Sequence, residues 1–218
     1  MLQETILSRV AALGVIPVIA IEKVEAALPF ADALLAGGLP VVEITFRTAA
    51  AAEVIRKIAQ ERPQLVVGAG TVLTPANLEA AKASGAAFAV APGLNPQIVK
   101  LAQQMGLPFV PGVATPSDIE LGLALGCKLL KFFPAEALGG VPMIEALSAP
   151  YKHTGVRFMP TGGVNPDNLE TYLKLDTVAA VGGTWVAKKE DLTAGKWDDI
   201  RRRCQAALEI VAKARGLR

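Results

Sequence analysis

Short apolar, β-rich runs alternate along this chain with amphipathic or Ala-rich stretches of helical period, and that alternation dominates its pattern. The runs are VIPVIAI (15–21), PVVEITFR (40–47), LVVGAGTV (65–72), AFAVAP (87–92), PFVPGV (108–113), LLKFFPA (129–135), RFMPTGG (157–163) and VAAVGGTW (178–185). The segments between them predict helices over 23–36, 49–60, 76–83, 96–105, 117–125, 141–148 and 167–174. A longer helix is expected over about 196–214 after the last strand, and another over about 3–13 before the first.

Four of the helix starts share one grammar. Thr74-Pro75, Asn95-Pro96, Thr115-Pro116 and Asn165-Pro166 each follow a proposed strand with a capping residue and then Pro. The cap side chain satisfies an otherwise orphaned N–H, and Pro at the first helical position forfeits no hydrogen bond. Eight strand–helix units predict an α/β protein, a single parallel (β/α)8 TIM barrel with an extra N-terminal helix, filling residues 1–218 as one domain. The competing architecture is an open doubly wound sheet. Its dinucleotide-binding forms carry a Gly-rich turn after the first strand. Here the first strand runs into IAIEKVE, without glycine, and GAGTVL (68–73) keeps only the first two glycines of that fingerprint.

Composition narrows the function classes. Of 218 residues, 52% are apolar and 19% charged, which excludes a disordered chain. A net charge of +2 with no basic block argues against nucleic acid as a partner, and Arg201-Arg202-Arg203 reads as a solvated helix face. The longest uncharged stretches, 83–99 and 101–117, are interrupted by Pro, Gly and Gln and fall short of a membrane span. MLQETILSRV lacks the basic start and apolar core of a signal peptide, so a reducing, cytoplasmic setting is expected. One histidine (His153) and two distant cysteines (Cys127, Cys204) supply no metal-ligand spacing; neither a metal nor a cofactor is expected.

In a barrel of this kind the site lies at the C-terminal ends of the strands, so polar residues inside apolar runs draw attention. Lys131 sits within LLKFFP between Leu130 and Phe132. Desolvation disfavours an ammonium, and a neutral amine is the nucleophile that imine formation requires. The bland alternative is a lysine snorkelling out at a strand end; Lys128 suits that description better, because apolar residues continue on both sides of Lys131. In VVEITFR the alternation puts Glu43, Thr45 and Arg47 on one face and Val42, Ile44 and Phe46 on the other. This column, a carboxylate, a hydroxyl and a guanidinium, is either a site rising toward the catalytic end or a self-neutralising ion pair. PTGGV (160–164) and VGGTW (181–185) close the seventh and eighth runs. Glycine admits close backbone approach and exposes N–H groups to anions, and these two loops form the recurrent phosphate site of such barrels. Thr71 and Pro92 end the third and fourth runs, where caps and turns also use such residues.

Taken together, VVEITFRT (41–48), GAGTVLT (68–74), PGVATPS (111–117), LLKFFPAE (129–136), PTGGVN (160–165) and GGTW (182–185) resemble the 2-keto-3-deoxy-6-phosphogluconate (KDPG) aldolase family, whose members often also cleave 4-hydroxy-2-oxoglutarate (KHG). The resemblance implies a metal-independent, homotrimeric carbon–carbon lyase that forms a Schiff base and acts on a small phosphorylated keto acid. It implies Lys131 as the Schiff-base lysine and Glu43 as the general acid/base. Arg47 and Thr71 would hold the substrate carboxylate, and Pro92 and Phe133 would line the pyruvate pocket. Thr161, Gly162, Gly163, Gly183 and Thr184 would hold the distal hydroxyl and phosphate. Thr184 stands where many relatives carry Ser. Ala20-Ile21 occupies the place where some carry a carboxylate-binding Arg, leaving that work to Arg47. Thr161, which the related 6-phosphogalactonate aldolases tend to lack, favours the gluconate substrate. A phosphosugar isomerase or epimerase on the same barrel would need a second acid/base or a metal, and a non-catalytic phosphate-ligand sensor would have no use for Lys131.

Overall fold

The computed structural model describes residues 2–216, with side chains described from Ile6 onward; the ends of the expected 1–218 domain lie outside the described residues. α1 (Leu2–Leu13) leads into β1 (Val15–Ile19), followed by α2 (Ala27–Ala36), β2 (Val41–Thr45), α3 (Ala51–Glu61), β3 (Val66–Gly70), α4 (Pro75–Ala83), β4 (Phe88–Val90) and α5 (Pro96–Gln104). The chain continues through β5 (Phe109–Val110), β6 (Gly112–Val113), α6 (Pro116–Ala124), β7 (Leu129–Phe132), α7 (Gly140–Ser148), β8 (Arg157–Pro160), α8 (Pro166–Leu173), β9 (Val181–Gly183), α9 (Lys189–Thr193) and α10 (Trp197–Ala214). The fold is α/β, with parallel pairing throughout.

One sheet has the order β5-β4-β3-β2-β1-β9, and a second runs β6-β7-β8. The fifth apolar run is divided between the two at Pro111, which has no N–H to give to a ladder. Two single bridges, Phe158 to Val178 and Thr161 to Gly182, connect the second sheet to the β9 segment of the first. The eighth run is therefore regular strand only over Val181–Gly183, shorter than the pattern predicts. The helix expected from residue 23 opens with a 3-10 turn at Val24–Ala26 and becomes α-helical at Ala27, with Pro29 in the first turn, where a missing N–H does no harm.

Local chemistry sets the elements as the sequence suggests. The side chains of Thr74, Asn95, Thr115 and Asn165 accept hydrogen bonds from the backbone N–H of Asn77, Gln97, Asp118 and Asp167. Each such cap stabilises its helix by about 1 kcal/mol. In α3, Ala51, Val54, Ile55 and Ile58 are buried at i, i+3, i+4 and i+7, the stripe that seats the helix on the sheet. Strands β1, β2 and β3 are buried at every position, as expected of a parallel sheet covered by helices. Val42 and Ile44 of β2 belong to this core, so the alternate face, carrying Glu43, is turned to the interior. Among the described residues no helix is long and apolar enough to cross a membrane.

Candidate active site

Two charges meet inside the sheets. Lys131 in β7 is 5% exposed and Glu43 in β2 is fully buried. The Lys131 Nζ donates to Glu43 Oε1 at 3.3 Å. These strands belong to different sheets, so the contact shows that both sheets face one interior. Taking both ions out of water costs several kcal/mol apiece, which only close pairing and further hydrogen bonds offset. Glu43 Oε2 is buried and has no hydrogen-bond partner among the described residues. An unsatisfied buried carboxylate oxygen marks a place where a donor belongs. Chemically, the pair can pass a proton from ammonium to carboxylate, leaving a neutral amine and a carboxylic acid side by side. The Lys131 Nζ also stands 5.6 Å from the centre of the Phe133 ring, so the residue after β7 walls the amine.

Glycine makes room for this arrangement. A Cβ on Gly70, at the end of β3, would lie 2.2 Å from Glu43 Oε1, so no side chain fits beside the carboxylate. The alternation of Gly68 and Gly70 on one strand face carried that signal, since glycine inside a strand often marks close approach; the sequence reading assigned Gly70 no role. Thr71 follows with φ +56°, in the left-handed region that a β-branched residue rarely occupies. Such strain costs about 1–3 kcal/mol and tends to gather at functional sites. Half-buried Thr71 is thereby held at the strand end, one residue beyond the pairing of Thr45 with Gly70. Pro92, also half-buried, presses its carbonyl into the space that a Cβ on Gly112 would need, and Gly112 is the strand partner of Lys131.

The column expected on β2 is only partly formed. Glu43 faces the interior, but the Thr45 hydroxyl donates to the Ile19 carbonyl at 3.3 Å and so serves the neighbouring strand. β2 ends at Thr45, and Arg47 stands exposed in the turn beyond, with no ion-pair partner among the described residues. Alternation fixes a face only while the strand lasts, so it does not decide where Arg47 points.

At the other side of the rim the two glycine loops come together. Thr161 is buried and bridged to Gly182. Gly162 and Gly163 have φ +99° and +84°. Gly183 is buried with the Trp185 ring packed against it, and Thr184 is exposed. The loop after β7 is tied to them, with Ala135 N–H donating to Thr161 O at 2.8 Å and Glu136 N–H to Gly162 O at 3.0 Å. Glu136 accepts from the hydroxyl of buried Tyr172 on α8. Neither Glu136 nor Tyr172 was marked by the sequence pattern. Among the described residues no group of three or more His, Cys, Asp or Glu side chains is placed to hold a metal ion.

Residues 6–203 match the aldolase family described as KDPG and KHG aldolase. The chain is 44% identical over 208 residues to the 2-dehydro-3-deoxy-phosphogluconate aldolase of Haemophilus influenzae, covering 95% of this chain and 97% of that one. Its structure is similar to that of the KDPG aldolase from Legionella pneumophila, with pyruvate captured as a covalent carbinolamine, at a TM-score of 0.88 and 42% identity over 92% of this chain and 97% of that one. It is also similar to the KDPG aldolase of Zymomonas mobilis with 3-phosphoglycerate, at a TM-score of 0.84 and 40% identity over 94% of each chain.

Proposed function

The chain belongs to the KDPG and KHG aldolase family, and on that premise we propose that it cleaves 2-dehydro-3-deoxy-6-phosphogluconate to pyruvate and D-glyceraldehyde 3-phosphate, with 4-hydroxy-2-oxoglutarate as a second substrate giving pyruvate and glyoxylate. The observation that carries the reading is the buried Lys131–Glu43 pair with one carboxylate oxygen unpartnered. It is the constellation that a class I aldolase needs, a desolvated amine with a proton acceptor beside it.

Glu43 takes the proton from Lys131, and the free amine attacks the substrate carbon-2 ketone. The resulting carbinolamine loses water, with Glu43 returning a proton to the leaving hydroxyl, and a protonated imine forms. Glu43 then accepts the carbon-4 hydroxyl proton. The carbon-3 to carbon-4 bond breaks, its electron pair flows into the imine to give an enamine, and the phosphorylated aldehyde leaves. Glu43 protonates carbon 3, and water hydrolyses the imine to pyruvate and restores the lysine. One carboxylate serves each transfer because it is already within hydrogen-bond reach of the amine.

Arg47 and Thr71 bind the substrate carboxylate, Arg47 folding in from its exposed turn to offer a bidentate contact. Pro92 and Phe133 line the pyruvate pocket. Thr161, Gly162, Gly163, Gly183 and Thr184 hold the distal hydroxyl and phosphate, supported by the bridge that joins their loops and by 3-phosphoglycerate in the Zymomonas relative. The two sheets close as one eight-stranded barrel forming a single domain, supported by the two bridges between β8 and the β9 segment. The enzyme works without metal or cofactor, as a cytoplasmic homotrimer. Thr161 favours the gluconate substrate over its galactonate epimer.

A coupled pyruvate-release assay on KDPG, its galactonate epimer and 4-hydroxy-2-oxoglutarate, with and without EDTA, tests the reading. The expected result is release from KDPG at the highest kcat/KM, unchanged by chelation. No pyruvate from any of the three substrates would overturn it.

A further inference from the structure

We infer that Glu136 and Tyr172 form a positioning pair that fixes the 161–163 loop relative to Lys131 and so sets the preference for a phosphorylated substrate. The inference rests on the reading of that loop as the phosphate holder. Glu136 lies five residues after Lys131, at the start of a 3-10 turn. Its backbone N–H is bonded to Gly162 O at 3.0 Å, continuing the contact that Ala135 makes with Thr161. Its side-chain stem lies flat on the loop, for a Cβ on Gly163 would stand 2.5 Å from both Cβ and Cγ of Glu136.

The carboxylate end of Glu136 is held from a third element. Oε1 accepts from the Tyr172 hydroxyl, on the last turn of α8, and also lies 3.0 Å from where a Cβ on Gly140 would be, at the head of α7. Tyr172 is fully buried, so its hydroxyl depends on this one acceptor, and leaving it unpaired would carry a desolvation penalty. Burial first, and then the neighbouring carboxylate, push the Tyr172 phenol well above its ordinary pKa, which keeps it a donor at any working pH. The Lys131 strand, the 161–163 loop and α8 are thereby braced at a single side chain. Among the described residues neither Glu136 nor Tyr172 hydrogen-bonds to Lys131 or Glu43, so both act through the loop. Loosening them should move the grip on a distal phosphate more than the chemistry at carbon 2.

The test compares KDPG with 4-hydroxy-2-oxoglutarate, which carries no phosphate, in Tyr172→Phe, Glu136→Ala and Glu136→Gln. Tyr172→Phe and Glu136→Ala should each lose about tenfold in kcat/KM on KDPG, mostly through KM, as removal of a hydrogen bond to a charged group does. Both should stay within about twofold of wild type on 4-hydroxy-2-oxoglutarate. Glu136→Gln keeps an acceptor for Tyr172 and should retain the preference for KDPG. Should Tyr172→Phe fail to fold, Glu136→Ala at its exposed position carries the same comparison. Equal losses on both substrates, or no loss on KDPG, would overturn the inference. A wild-type protein that does not cleave KDPG would instead sink the aldolase reading, and the role of the pair with it.

Discussion

Lys128 and Lys131 stand three residues apart on the same segment, one just before β7 and one within it, and their surroundings differ completely. Lys128 is exposed and donates to the Thr154 carbonyl at 3.0 Å. It lines a cavity of about 1140 Å³ at the N-terminal ends of the strands, together with Cys127, Arg157 and Arg215. Lys128, Arg157 and Arg215 are spent on backbone. Arg157 donates to Val178 O at 2.9 Å, and Arg215 donates to Ala179 O at 2.6 Å and to the Ala12 and Ala11 carbonyls at 2.8 and 3.0 Å. Burial pushes the Cys127 thiol up, which disfavours the reactive thiolate. At Lys131 the cation faces a carboxylate, and that carboxylate keeps an oxygen in reserve. The roomy cavity has those three cations tied to backbone, whereas the buried pair leaves one carboxylate oxygen unpartnered, and volume alone is a poor guide to where chemistry lies.

Replacing each lysine in turn breaks the comparison most sharply. Lys131→Ala should abolish cleavage, because no other group at the rim supplies the electron sink, while Lys128→Ala should hold kcat within about twofold. Equal effects in a pyruvate-release assay would remove the distinction between rim and floor. Glu43→Gln should cut turnover by roughly two orders of magnitude, as loss of a general acid/base does, with binding less affected. Near wild-type turnover would reduce Glu43 to an ion-pair partner. Gly163→Val sets a branched side chain at φ +84° and against Glu136. It should erase the preference for KDPG over its dephosphorylated analogue, a loss of about tenfold or more in kcat/KM, while sparing cleavage of 4-hydroxy-2-oxoglutarate. Equal losses on both would make the glycine loops merely structural. The smallest kinetic effect belongs to the floor. Arg215→Ala strips donors from partly buried carbonyls, which costs about 1–3 kcal/mol, and should lower Tm by several degrees with kcat/KM intact. A matching fall in kcat/KM would show that the floor takes part in the reaction.

How much of this was legible in the sequence follows the same division. Glu43 and Lys131 announced themselves because a charge inside an apolar run has no cheap explanation. The four caps were readable because their chemistry is confined to three or four residues. The direction of Arg47 was not legible in the pattern, for a local reason. The last ladder bond of β2 runs from Phe46 N–H to Gly70 O, and beyond it the chain turns, so two-residue alternation no longer decides a direction. The split at Pro111 was foreseeable from the missing N–H, yet the apolar run masked it. Gly70, Glu136 and Tyr172 stayed invisible because their roles exist only through partners far along the chain. Gly70 matters through Glu43 on the next strand, and Glu136 through a hydroxyl 36 residues away. Local periodicity carries no record of such meetings.

Lys131 as the covalent nucleophile can be tested by trapping. Incubating the protein with pyruvate and sodium borohydride should reduce the imine to a stable secondary amine, and peptide mapping should find one modified lysine, in the segment containing Leu130-Lys131-Phe132. Labelling at Lys128, or no labelling in a protein that still cleaves its substrate, would contradict the account.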